Sequence, residues 1–119
     1  MNDDTFEKLE IWQEVIDLAA RVYELFRDCR DFRFRDQIQS AATSVSSNIA
    51  EGYERDSNPD FIRFLFIAKG SCGEVRSQTY LARRIKLIDE SQAGGLLADA
   101  KRLSKRIMRF LEVRREKFD

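Results

Sequence analysis

The stretch Asp36-Gln37-Ile38-Gln39-Ser40-Ala41-Ala42-Thr43-Ser44-Val45-Ser46-Ser47-Asn48-Ile49-Ala50-Glu51-Gly52, followed after a polar break by Ser57-Asn58-Pro59-Asp60-Phe61, decides the fold. Its first limb sets Ile38, Ala41, Ala42, Val45 and Ile49 at helical spacing among small residues, the composition of a helix that a neighbour approaches closely. Its second limb repeats Phe61, Phe64, Leu65, Ala68, Cys72 and Val75 at three- and four-residue steps, an amphipathic helix. Gly52 suits the position just past a helix end, and Ser57 with Asp60 suits a cap at the next start. The two limbs are therefore expected to form an α-hairpin.

Working outward, Ile11, Val15, Leu18, Val22, Leu25, Phe26 and Cys29 predict a first helix over about 5–29. The hairpin helices are expected over about 35–51 and 58–87, and a fourth over about 91–117, with Leu96, Ala100, Leu103, Ile107, Phe110, Leu111 and Phe118 as its core stripe. Gly94-Gly95 in its first turns should cost about 1 kcal/mol each relative to Ala. Short links favour an antiparallel up-down-up-down four-helix bundle, all-α, in a single domain spanning 1–119. Two helices carry a second apolar stripe. Trp12, Ile16 and Tyr23 lie off the core direction of the first, and Ile62, Phe66, Gly73 and Tyr80 point opposite to Phe64, Ala68, Val75 and Ala82 on the third. Such side chains either widen the packing at a helix flank or form an interface with another subunit, giving a homo-oligomer.

Hydrophobic residues make up 43% and charged residues 35%, enough for a packed core and too apolar for a disordered chain. Lys plus Arg equals Asp plus Glu at 21 each, but residues 1–60 hold 14 acids against 7 bases and residues 61–119 the reverse. That asymmetry pairs neighbouring helices or makes one face basic enough for nucleic acid. On the fourth helix Lys101, Arg102, Lys105, Arg106 and Arg109 share the arc opposite the core, either a solvated face or a row of phosphate contacts.

There is no histidine, which removes the usual general base, the Ser-His and Cys-His pairs and the Glu-x-x-His ligands of di-iron bundles. No phosphate-binding glycine loop occurs; Gly70 and Gly73 sit inside a helical pattern as packing residues. Glu7-Glu10 and Glu51-Glu54 have a spacing used for Mg²⁺, though the first pair suits a helix start and Gly52 is expected to break the helix within the second. The expectation is a protein without cofactor or metal, and not an enzyme. Asn48, Glu51, Arg55, Glu74 and Arg76 are candidates for a buried polar cluster where the hairpin helices meet, fixing register or binding a ligand. Cys29 and Cys72, both on apolar stripes, suit buried thiols in a reducing cytoplasm. Met1-Asn2-Asp3-Asp4 lacks the apolar core of a signal peptide, and no apolar run is long enough for a membrane span.

The run Ser47-Asn48-Ile49-Ala50-Glu51-Gly52, then Arg55, Ser57, Phe61, Phe64-Leu65, Ile67-Ala68, Gly70-Ser71 and Glu74, with Leu9-Glu10-Ile11-Trp12-Gln13 near the start, resembles the small bacterial four-helix-bundle family first named for proteins encoded in intervening sequences of 23S ribosomal RNA genes. Cys29-Arg30-Asp31-Phe32-Arg33-Phe34-Arg35 departs from the Pro and Gly usual between the first two helices of that family. The resemblance implies an all-α bundle assembled as a ring of five. It implies no known reaction, and it brings in relatives, the accessory proteins of diversity-generating retroelements, that bind a reverse transcriptase and RNA.

Overall fold

The structure is a computed structural model that describes residues 5–118, with side chains through Glu116. A 3₁₀ turn, Phe6–Lys8, precedes four helices: α1 (Glu10–Leu25), α2 (Phe32–Glu54), α3 (Asn58–Arg84) and α4 (Glu90–Phe118). Each helix packs on the next, and α4 returns to α1, so the four stand as an antiparallel bundle about a single core. Its extents, 49 × 22 × 20 Å, are those of a rod one long helix in length. Val15, Val22 and Phe26 from α1 and its end meet Ile38, Val45 and Ile49 from α2, Leu65 and Val75 from α3, and Leu96, Leu103, Ile107 and Leu111 from α4, all fully buried. Phe118, assigned to the same stripe by periodicity, lies outside the described side chains.

The helix ends depart from the sequence reading in ways that have local causes. Leu9 is extended, at φ −74° and ψ 121°, so α1 starts at Glu10 and not at about residue 5. It ends at Leu25 because the following amides turn back over three residues, Arg27 N–H to Glu24 O and Cys29 N–H to Phe26 O. α2 begins at Phe32, three residues early, because the Asp31 carboxylate accepts the Phe34 amide at 3.1 Å, an N-cap that apolar periodicity does not see. Ser57 caps α3 as expected, accepting from Asp60 N–H at 3.1 Å. α4 opens on a reciprocal box: Asp89 Oδ1 accepts Gln92 N–H at 2.7 Å, and Gln92 Oε1 accepts Asp89 N–H at 3.0 Å. α3 stops at Arg84 because Lys86 adopts φ 65°, with Leu87 N–H reaching back to Ala82 O at 2.8 Å.

Gly52 is the largest correction. It does not end α2; it is buried inside the helix, which continues to Glu54. A Cβ there would lie 2.5 Å from Phe64 Cβ and 3.0 Å from the Phe61 ring, so glycine is present because α3 passes too close for any side chain. We expect Gly52→Ala to destabilise the fold by about 1–3 kcal/mol, the usual cost of overpacking, despite the better helix propensity of Ala. Lys86→Gly should act the other way, adding about 1 kcal/mol because glycine adopts the left-handed backbone freely. Thermal or urea unfolding of the two variants checks both signs.

Candidate nucleic-acid and assembly surfaces

The five cations of the α4 arc do not act alike. Arg102 and Arg106 lean toward α1, where the Glu14 carboxylate takes both: Arg102 Nη1 donates to Oε1 at 2.5 Å, and Arg106 Nη1 pairs with Oε2. Arg106 also approaches Glu10 at 3.9 Å, and Arg102 approaches Asp99 at 4.0 Å. Arg21 completes this seam from the α1 side, donating to Asp99 at 2.5 Å and lying over Gly95, where a Cβ would run into its guanidinium. The seam has the chemistry expected of an acidic first half facing a basic second half. Lys101, Lys105 and Arg109 remain, exposed, at successive four-residue steps on the side of α4 turned from the core, with no carboxylate in ion-pair reach among the described residues. Beside them Leu9, Ile11 and Phe110 floor a shallow depression rimmed by Lys105, Arg106 and Arg109.

The apolar side chains assigned to second stripes divide as well. Trp12 and Ile62 are half-buried and pack on the core, Trp12 edge-on to Phe6 with ring centroids 5.0 Å apart. Ile16, Tyr23, Phe66 and Tyr80 are 38–48% exposed. Ile67, Leu81 and Ile85 on or just beyond α3 and Phe32 at the start of α2 are exposed too, and the spacing of the core and second stripes does not mark them. Gly70 and Gly73 are not packing residues within this chain: nothing lies within 4 Å of a Cβ built at either.

The polar residues of the α2–α3 hairpin do not gather into one buried cluster. Asn48 Nδ2 donates to Ser44 O at 2.8 Å and to Ser44 Oγ at 2.9 Å, and Ser44 Oγ meets Ser71 Oγ at 2.9 Å, a short chain that ties α2 to α3. Glu51 and Arg55 pair at 2.9 Å on the surface. Glu74 is exposed and lines a depression with Arg33, Asp36 and Gln78, whereas Arg76, two residues on and so about 200° round the helix, sits on the opposite flank. Arg76 Nε is buried without a hydrogen-bond partner, as is Gln78 Oε1.

Among the described residues no group of three or more carboxylates or thiols is placed to hold a metal ion. Glu10 faces Arg106, and Glu51 faces Arg55. Cys29 and Cys72 are free thiols, the second fully buried with its sulfur 3.3 Å from Ala100 O. No described helix is long and apolar enough to cross a membrane.

The family model of the 23S rRNA-intervening sequence protein matches residues 7–109. The chain belongs to that family. Its match covers α1, α2 and α3 whole and α4 as far as Arg109, the Gly52 contact and the five α4 cations included. A crystal structure from Bacteroides thetaiotaomicron, described as a protein with unknown function from the S23 ribosomal protein family, is similar over 85% of this chain and 97% of its own, at 24% identity and a TM-score of 0.80; that likeness is one of fold. No curated protein matches.

Burial pushes the Cys72 thiol above its ordinary value, while the neighbouring Ser104 hydroxyl and then the charges of Arg76 and Lys69 pull the other way. The unfolded chain ionises this thiol first, so its contribution to stability is intact below pH 9.0 and is lost as pH rises through the raised native value. The pH dependence of unfolding above that point should be steeper for the wild type than for Cys72→Ala. Equal slopes in urea titrations at pH 8 and pH 10 would remove Cys72 as its source.

Proposed function

We propose that this family member is a non-enzymatic scaffold that self-associates through the exposed apolar faces of α1 and α3 and presents the outer face of α4 to RNA or to a nucleic-acid enzyme. The observation that carries the assembly is the row Phe66, Ile67, Tyr80 and Leu81, left 41–49% exposed on a helix whose opposite side is already buried. Covering half of a Phe or Tyr of roughly 200 Å² contributes about 2.5 kcal/mol before association costs. A few such contacts on each protomer hold a stable oligomer, and the resemblance supplies the number five for the ring.

The nucleic-acid reading rests on Lys101, Lys105 and Arg109. At 1.5 Å per residue, four-residue steps place their attachment points about 6 Å apart along α4, a spacing at which a strand's successive phosphates can be met in turn. Arg102 and Arg106 add little while Glu14 holds them. The family's name refers to an RNA gene and adds weight to this reading. Two free thiols suit work in a reducing cytoplasm.

Three phosphate contacts on a single strand give a log–log salt slope near −2, at about 0.7 per contact. We expect that slope for RNA oligomers of unrelated sequence, a flatter one for each of Lys101→Ala, Lys105→Ala and Arg109→Ala, and a steeper one for Glu14→Gln, which releases Arg102 and Arg106. Absence of binding at low salt would leave a protein as the partner. Metal-dependent hydrolysis abolished by Glu51→Gln would overturn the non-enzymatic reading. For the assembly, Phe66→Asp with Tyr80→Asp should remain helical but sediment as a smaller species; wild-type protein that sediments as a monomer at micromolar concentration would refute self-association.

A further inference from the structure

We propose that a strand bound on α4 lies along the seam between α4 and α3, where Lys69 and Arg76 of α3 form a second row of phosphate contacts. This rests on the RNA reading above and adds which side of α4 the strand occupies and which two further residues meet it. The register of the two helices is fixed at two points. Cys72 Sγ donates to Ala100 O at 3.3 Å, and Asn58 Oδ1 accepts from Arg114 Nε at 2.9 Å. Asn58 to Cys72 and Ala100 to Arg114 are both 14 residues, so the antiparallel pair keeps its level between them. At that level Lys69 falls between Lys101 and Lys105, and Arg76 lies about 10 Å further along α3. Side chains lean toward the N-terminus of their own helix, which brings Arg76 and Lys101 toward each other. Lys69 and Arg76 stand three residues before and four after Cys72, on the flank of α3 that faces α4.

The two sides of α4 differ in what they offer an anion. Toward α1, Glu10, Glu14 and Asp99 hold Arg102 and Arg106 and would repel a phosphate. Toward α3 both walls are basic, and among the described residues Lys69, Arg76, Lys101 and Lys105 make no ion pair. Arg76 is half-buried, and its Nε is cut off from water without an acceptor. A charged donor left that way costs free energy, and an oxyanion in the seam supplies the counter-charge that the guanidinium lacks. Gly73 stands four residues after Lys69 and three before Arg76, so the two cations bracket a floor without a side chain. Nothing lies within 4 Å of a Cβ built at Gly73, and the space lets a strand sit low between the helices.

The test titrates the full chain with single-stranded RNA oligomers of unrelated sequence over a salt series. The α4 row alone gives a log–log slope near −2; Lys69 and Arg76 as fourth and fifth contacts steepen it to about −3.5, at about 0.7 per contact. Lys69→Met and Arg76→Met should each flatten the slope by about 0.7, whereas Arg30→Met, at an exposed cation in the α1–α2 connection, should leave it unchanged. Methionine keeps the apolar stem and removes a like charge from the seam, so the thermal midpoint of the free protein should rise as binding weakens. Should Arg76→Met fail to fold, Lys69→Glu decides alone, weakening binding more than Lys69→Met at each salt concentration. A wild-type slope near −2 that Lys69→Met leaves unaltered, or a lowered midpoint with unchanged binding, would overturn the inference while leaving Lys101, Lys105 and Arg109 as the site. Absence of RNA binding at low salt would instead remove the inference together with the reading beneath it.

Discussion

The whole bundle depends on how near α2 and α3 come to each other. At Gly52 the two backbones are separated by a distance that leaves no room for a methyl group between them and Phe64. Everything else along that seam is compatible with such an approach: Ala41, Ala42 and Val45 on α2, Ala68 and Ser71 on α3, all buried, and hydroxyls small enough to meet directly across the gap. Small side chains gain little by burial, but they let two long helices share dispersion contacts along their length, and a tight hairpin then supplies half the core against which α1 and α4 are laid. The Ser44–Ser71 contact and the Asn48 amide satisfy the polar groups that so narrow a seam excludes from water.

The opposite seam uses different chemistry. Between α1 and α4 the edges are held by Glu14 and Asp99 gripping Arg102, Arg106 and Arg21, with side chains between about a quarter and half exposed. Pairs of that exposure contribute little each, so their value lies more in selecting the correct partner than in strength. An acidic α1 cannot exchange places with the basic α3 without losing these contacts, so the same charge asymmetry that marks the two halves of the sequence also excludes the wrong arrangement of the bundle.

Four helices and almost all of the buried stripe were legible from spacing alone, because apolar residues at three- and four-residue steps have few other uses. What sequence could not give was decided by contacts distant along the chain. Gly52 carried the ordinary meaning of a helix stop until Phe64 was seen beside it. Asp31 was an available cap that periodicity ignored, and Glu74 and Arg76 were grouped by type although two residues of helix set them on opposite flanks. The α4 arc was visible as five cations, yet which of them is held in an ion pair depends on a glutamate 88 residues from Arg102. A one-dimensional pattern shows which face a charge occupies and not who meets it there.

The contrast between the two seams also sets the order in which the molecule comes apart. The α2–α3 hairpin has continuous close packing and a connection of only three residues, whereas α1 shares less contact with its neighbours and relies on partly hydrated ion pairs along one edge. Opening events therefore begin with α1, and amide protons there exchange through partial rather than global unfolding. Concentrated salt loosens that edge first, while the hairpin and the α4 helix packed on it persist as the last cooperative unit to melt.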